Sequence, residues 1–136
     1  MARLLRLSAF FVGVRATRVS IRTVGFARTV SLFGALPRIM AAQRESRWSA
    51  ASWAAAVDRV SGRPYGGTCL DRSVFLWLVM RLHGIDGSIR IGLTKRDGPL
   101  EGHAWVELDG QVVNDIPDVA DRYAVFDEDP VGIAFQ

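Results

Sequence analysis

One stretch of the chain would be apolar on every face if it formed a helix. Residues 74–80 read VFLWLVM, and a helix of this composition has no face suited to water, so other elements must cover it all round. Thr68 is a good N-cap residue, Asp71 nearly completes a capping box, and Gly84 suits the left-handed position after the C-terminus. The sequence CLDRSVFLWLVMRLHG therefore predicts a capped helix in the middle of the fold.

The sequence after this helix favours strands. SIRIGLT alternates apolar Ile89, Ile91 and Leu93 with other residues, and HAWVEL and QVVND flank the strong hairpin signal DG. DRYAVFD and VGIAF could each add an edge strand. Before the central helix, residues 47–60 are rich in Ala and predict another helix, with Ser49 as its cap. Helices first and an antiparallel sheet second predict the α+β class.

Charge divides the chain into two parts. Residues 1–48 hold nine Arg and one acid, a net charge of +8, whereas residues 49–136 hold eight Lys and Arg and thirteen acids, a net charge of −5. We interpret the first part as a basic amphipathic helical arm and the second as a single domain. The apolar side of residues 3–40 should pack on the domain or a partner, and its Arg side should meet an acidic surface. A peripheral membrane contact through residues 1–40 is a further candidate.

Several other classes of protein fit the sequence poorly. Arg recurs through Arg28, so no run of 18 apolar residues is present, and RATR stands where a signal-peptide cleavage site would be expected. Cys69 is the only cysteine, which excludes an intramolecular disulfide and favours the reducing cytoplasm. The arm lacks the motifs of a nucleic-acid binder, and no pair of closely spaced ligands indicates zinc.

Cys69 is predicted to occupy the first turn of the central helix. Unpaired backbone N–H groups and the helix dipole favour a thiolate there, and the same N–H groups can hold an oxyanion on a carbonyl under attack. A thiolate that cleaves an amide also needs a proton carrier, for which His103 is a candidate. Asp115, at the end of QVVND, is a candidate to orient that His.

The register of the hairpin decides whether His103 and Asp115 can meet. With the two-residue loop Asp109-Gly110, Ala104 lies opposite Asp115, and the His and Asp side chains point to opposite faces of the sheet. With a three-residue loop that begins at Leu108, His103 lies directly opposite Asp115. We predict the three-residue loop.

Each of these residues also has a structural interpretation. A lone Cys is often a small buried hydrophobe, and Asn-Asp after a strand is often only a turn. His83, the only other His, suits a helix C-terminus because a partly cationic ring complements the dipole there. The residues by themselves leave an enzyme and a non-catalytic domain open.

The motifs together resemble a known family. CLDRS, RIG, HAWVE and ND occur in the order found in the transglutaminase-like leader peptidases of lasso-peptide biosynthesis, and the resemblance covers about residues 63–115. It implies a papain-like core in which Cys69 is the nucleophile, His103 the general base and acid, and Asp115 the residue that orients His103. It implies no metal or organic cofactor.

The resemblance also implies a function and partners. The family removes the leader from a ribosomally made precursor peptide, after which a separate asparagine-synthetase-like enzyme closes the macrolactam ring. Some members carry a leader-binding domain that residues 1–50 do not resemble, so a separate leader-recognition protein is expected here. The alternatives are an acyl transferase, in which an amine resolves the thioester, and a non-catalytic adaptor that docks through its basic arm.

Overall fold

The computed structural model describes residues 2–37, 48–62, 67–94 and 97–126. Its elements, in chain order, are α1 (Ala2–Val24), α2 (Phe26–Gly34), α3 (Ala50–Ser61), α4 (Cys69–Leu82), β1 (Ser88–Thr94), β2 (Gly102–Leu108), β3 (Gln111–Val112), α5 (Val119–Arg122) and β4 (Tyr123–Val125).

Helix α4 has the two ends that the sequence predicts. The Thr68 hydroxyl accepts a hydrogen bond from the Asp71 N–H at 3.2 Å, and the Asp71 carboxylate accepts one from the Thr68 N–H at 3.1 Å, which completes a capping box. At the other end Gly84 has a φ of +78°, and the Ile85 N–H donates to the carbonyl of Met80 at 2.9 Å. This is a Schellman motif, so both predicted ends are confirmed.

The apolar surface of α4 is covered by several elements at once. Helices α1, α2 and α3 and strands β1 and β2 all pack against it. Leu76 and Met80 are completely buried, as are Ile89 and Val106 from the sheet, and all four belong to one core cluster. Helix α3 begins at its predicted cap, because the Ser49 hydroxyl accepts from the backbone of the first turn.

The N-terminal helices are part of the same core. Val14 of α1 is 3% exposed and Val30 of α2 is completely buried. Gly13 approaches the ring of Phe75 so closely that a Cβ at Gly13 would lie 2.3 Å from it. The apolar side of the predicted arm thus packs on the remainder of the protein. The division into domains at residue 48 stays a prediction.

The sheet lies beside the helices and is antiparallel throughout. Its order, over the residues that the structure describes, is β3-β2-β1-β4. The segments SIRIGLT and DRYAVFD contain β1 and β4, and HAWVEL with the preceding Gly102 forms β2; β4 lies at an edge as predicted. The predicted α+β class is confirmed. The segment VGIAF, at residues 131–135, lies outside the described residues.

Candidate active site

His103 and Asp115 are in direct contact. Nε2 of His103 lies 2.6 Å from Oδ2 of Asp115, and each side chain is about a fifth exposed, at 20% and 22%. The other carboxylate oxygen accepts a hydrogen bond from the Ile116 N–H at 2.8 Å. The contact uses Nε2 as the donor and leaves Nδ1 as the ring nitrogen available for proton exchange.

The hairpin that carries this pair does not have the predicted loop. Glu107 pairs with Val112 and Leu108 pairs with Gln111, so the loop consists of the two residues Asp109-Gly110. Their φ angles are +52° and +76°, as a type I′ turn requires. The predicted three-residue loop is therefore wrong, because Asp tolerates a positive φ and the shorter loop suits the strand twist.

The contact forms because the chain leaves the strand ladder before Asp115. The last backbone bond of the hairpin runs from the Val113 N–H to the carbonyl of Val106, at 2.9 Å. The Val106 N–H donates instead to the side-chain Oδ1 of Asn114, at 2.8 Å. Beyond this point the alternation of a strand no longer fixes the side chains, and Asp115 reaches Nε2 of His103.

Two aromatic side chains lie beside the imidazole. The ring of Tyr123 stacks on His103 with a centroid distance of 4.9 Å and an interplanar angle of 25°, and Trp105 lies 6.0 Å away. Gly92 pairs with His103 across β1 and β2, and a Cβ at Gly92 would lie 2.7 Å from that of Tyr123. Glycine inside a strand often marks such a close approach, so Gly92 is the sequence signal from which this packing could have been predicted.

A polar network fixes the buried Trp105 next to the pair. Its indole N–H donates to one oxygen of Glu107 at 2.9 Å, and Nε of Arg90 donates to the other at 3.1 Å. Trp105 is completely buried, and a buried indole N–H needs such an acceptor. Strand alternation places His103, Trp105 and Glu107 on one face, and of these three only His103 is a candidate site residue from the motifs.

Cys69 is the first residue of α4, directly after the Thr68 cap, and it is partly buried. Its thiol makes no hydrogen bond with His103 or Asp115 within the described part of the chain. Ser73, one turn later on the same helix face, donates from its hydroxyl to the carbonyl of Ala104 at 3.0 Å. The structure thus joins two of the three predicted residues and places the third on the helix face that is bound to β2.

Among the residues described, no three His, Cys, Asp or Glu side chains are grouped so that they could hold a metal ion. His83 lies at the C-terminus of α4, where Nδ1 is 2.7 Å from the carbonyl of Val79 and the ring is 4.3 Å from that of Trp53.

The sequence model of the transglutaminase-like superfamily matches residues 12–127, which is most of the chain. The chain belongs to the transglutaminase-like superfamily. The match begins inside α1 and ends after β4, so it takes in the described elements that surround the His103–Asp115 contact. Membership also agrees with the mixed architecture of helices and antiparallel sheet.

One relative of this transglutaminase-like chain has a named role. The microcin J25-processing protein McjB of Escherichia coli is 38% identical over 60 residues, which is 44% of this chain and 28% of that protein. The match thus spans less than a third of the relative's length. No solved structure gives a significant match. The family resemblance predicted from the motifs is confirmed by the superfamily match and by this relative.

None of the helices in the described ranges combines the length and the hydrophobicity needed to cross a membrane. Helix α1 has the length, at 23 residues, but Arg residues interrupt its apolar sequence.

Proposed function

We propose that this transglutaminase-like chain is a cysteine peptidase that removes the leader from a ribosomally made lasso-peptide precursor. The 2.6 Å contact between His103 and Asp115 is the observation that carries the proposal. A short contact of this kind fixes the tautomer of an imidazole and stabilises its cation, which is what a Cys–His mechanism requires. The position of Cys69 at a capped helix N-terminus and the similarity to a microcin-processing protein add support.

In the first half of the reaction, the Cys69 thiolate attacks the carbonyl carbon at the junction of leader and core. A C–S bond forms, and the resulting oxyanion accepts a hydrogen bond from the N–H of Cys69. The C–N bond then breaks, and the amine of the core leaves with a proton from Nδ1 of the His103 cation. The product of this half is a thioester between Cys69 and the leader.

In the second half, water replaces the amine. His103 takes a proton from water while the water oxygen attacks the thioester carbonyl, and the C–S bond breaks. The leader leaves as a carboxylic acid that loses its proton to solvent, and Cys69 returns as the thiolate beside a protonated His103. Asp115 remains an anion throughout and stabilises the imidazolium that forms in each half.

The proposal includes a cellular setting. A separate leader-recognition protein presents the precursor, and a separate asparagine-synthetase-like cyclase takes the released core peptide. The enzyme works in the cytoplasm, where reducing conditions keep the single thiol of Cys69 free. The substrate is a peptide and both partners are proteins, so the proposed reaction involves no nucleic acid.

Mass spectrometry of a cleavage reaction tests the proposal. The purified chain is incubated with the lasso-peptide precursor of the same strain, with and without that strain's leader-recognition protein. We expect one leader fragment that ends in a carboxylate and one core fragment that begins with a free amine. The Cys69→Ala protein serves as the control and should give neither. An intact precursor after incubation with the active protein and its partner would overturn the assignment.

Membership of a superfamily named after an acyl-transfer reaction favours one second candidate. In that reaction an amine, rather than water, resolves the same thioester. Adding a simple primary amine such as glycinamide to the assay separates the two reactions. A peptidase gives the leader carboxylate at every amine concentration, whereas an acyl transferase gives the leader amide in proportion to the added amine.

A further inference from the structure

Three side-chain hydrogen bonds lie close to the His103–Asp115 contact, one within the hairpin and two between the hairpin and α4. The Val106 N–H donates to Oδ1 of Asn114 at 2.8 Å, and Nδ2 of Asn114 donates to the hydroxyl of Ser73 at 3.1 Å. That hydroxyl in turn donates to the carbonyl of Ala104 at 3.0 Å. Ser73 is completely buried, so its bond to the Ala104 carbonyl is shielded from water, and the two bonds of Asn114 are partly buried.

These bonds occupy the backbone groups that a longer hairpin would use. In the observed register, Val106 lies opposite Val113 and Ala104 would lie opposite Asp115. The Val106 N–H would then donate to the carbonyl of Val113, and the Ala104 carbonyl would accept from the N–H of Asp115. Asn114 takes the first of these places and Ser73 takes the second.

A strand that stops early normally leaves buried backbone groups unsatisfied, at a cost of about 1–3 kcal/mol each. Here the two side chains satisfy two of the groups on β2, the Val106 N–H and the Ala104 carbonyl, so the chain can leave the ladder at Asn114 at a lower cost. If pairing continued, strand alternation would put Asp115 on the face opposite His103. The early exit is what allows the observed contact.

We propose that Asn114 and Ser73 are positioning residues for the catalytic pair. They end the ladder one residue before Asp115, and they direct its carboxylate to Nε2 of His103. Ser73 also lies one helical turn after Cys69, so the same bonds tie the strand exit to the helix that carries the thiol. The kinetic consequence rests on the proposed peptidase function, whereas the structural consequence does not.

The chemistry of the two side chains fits this task closely. Asn114 must accept from Val106 and donate to Ser73 at once, and a primary amide has an acceptor and a donor at a fixed separation. A carboxylate of the same shape has no donor for Ser73. The hydroxyl of Ser73 similarly donates to Ala104 while it accepts from Asn114. Asn114→Asp therefore removes only the bond to Ser73, whereas Ser73→Ala removes both bonds of its hydroxyl, each with little change in volume.

The first test uses nuclear magnetic resonance and needs no substrate. The ¹⁵N shifts of the His103 ring nitrogens report which nitrogen carries the proton when the ring is neutral. We expect the Nε2–H tautomer in the unaltered protein and a mixture of tautomers in Asn114→Ala, Asn114→Asp and Ser73→Ala. Val113→Ala, which removes a partly buried apolar side chain from the same hairpin, is the matched control and should keep the single tautomer.

The second test is a double-mutant cycle on cleavage. A small displacement of a positioned group can cost up to about 10²-fold in rate, and we expect Asn114→Ala to lower kcat within that range with little change in KM. In an Asp115→Ala background, the same change should have no further effect, because Asn114 acts through Asp115.

Two results would overturn the proposal. One is a pair of losses that multiply in the double variant, and the other is an unchanged tautomer in all three Asn114 and Ser73 variants. If the unaltered protein cleaves no precursor, the peptidase assignment fails and the tautomer measurement still decides the role of Asn114 and Ser73.

Discussion

At the scale of single residues, His103 is held at two places. Asp115 binds its Nε2 edge at 2.6 Å, and Tyr123 stacks on its face at 4.9 Å. The imidazole cannot rotate far without breaking one of these contacts, so it is arranged before any substrate binds. Cys69 has a different environment, since its position is fixed by the cap and backbone of α4.

Replacing Cys69 tests the nucleophile with little effect on the fold. The side chain is small and only partly buried, and the Thr68 cap does not depend on it. We expect Cys69→Ala and Cys69→Ser to abolish cleavage of the precursor while the thermal transition, followed by circular dichroism, stays within a few degrees of that of the unaltered protein. Cleavage by Cys69→Ala at a sizeable fraction of the original rate would exclude the thiol mechanism.

His103 and Asp115 should contribute unequally to the rate. Loss of His103 removes the proposed proton carrier, so His103→Ala should lower kcat/KM by on the order of 10³-fold or more. Loss of Asp115 removes orientation and charge support but leaves the carrier, so Asp115→Ala should have a smaller effect. Single-turnover cleavage assays of the two variants give this comparison. An Asp115 variant as inactive as the His103 variant would assign Asp115 a direct part in proton transfer.

At the scale of elements, the sequence predicted α4 well and the hairpin only in part. The ends of α4 depend on a few adjacent residues, Thr68 with Asp71 and Gly84 with Ile85, whose chemistry is local. The point at which the chain leaves the hairpin ladder depends on a hydrogen bond between Asn114 and Ser73, which are 41 residues apart. Local turn preferences carry no information about such a bond, which explains why the contact of His103 with Asp115 was predicted through the wrong register.

The sheet beside His103 has room for Tyr123 only because Gly92 has no side chain. A Cβ at Gly92 would lie 2.7 Å from Cβ of Tyr123 and 3.2 Å from the carbonyl of Ala124. We therefore expect Gly92→Ala to push β4 away from β1 and to lower the free energy of unfolding by about 1–3 kcal/mol. Urea unfolding measures this change, and the cleavage rate should fall as Tyr123 moves from the imidazole.

Gly102→Ala is the matched control for this prediction. Gly102 lies in the neighbouring strand, and the nearest atom to a Cβ there is the end of the Leu93 side chain, at 4.0 Å. Alanine has less freedom than glycine in the unfolded chain, so this variant should unfold at the same urea concentration or a higher one. Equal destabilisation by the two substitutions would show that the close approach of Tyr123 is not the cause.

At the scale of the whole molecule, α1 has two different sides. Its buried side includes Val14 and Thr17, at 3% and 1% exposure, and it packs on the core around α4. Its outer side exposes Leu4, Val12 and Val19, at 71%, 64% and 60%. Removal of the whole arm would therefore remove part of the core, so point substitutions are needed to examine the outer side alone.

The outer side of α1 is the surface that we expect to contact the leader-recognition protein. It combines exposed valines with the exposed Arg22 near the end of the helix. An exposed apolar surface next to positive charge is typical of a contact with an acidic partner. Val12→Ser with Val19→Ser should leave the thermal transition unchanged and weaken capture of that partner in a pull-down assay. Raising salt from about 50 to 500 mM should weaken it further, since salt screens exposed charges over about 10 Å at 0.1 M.

Val14→Ser is the control for the buried side of α1. It places a hydroxyl in the core and should therefore lower the free energy of unfolding by on the order of 2 kcal/mol. Capture that ignores both the salt and the two outer substitutions would place the partner on another surface.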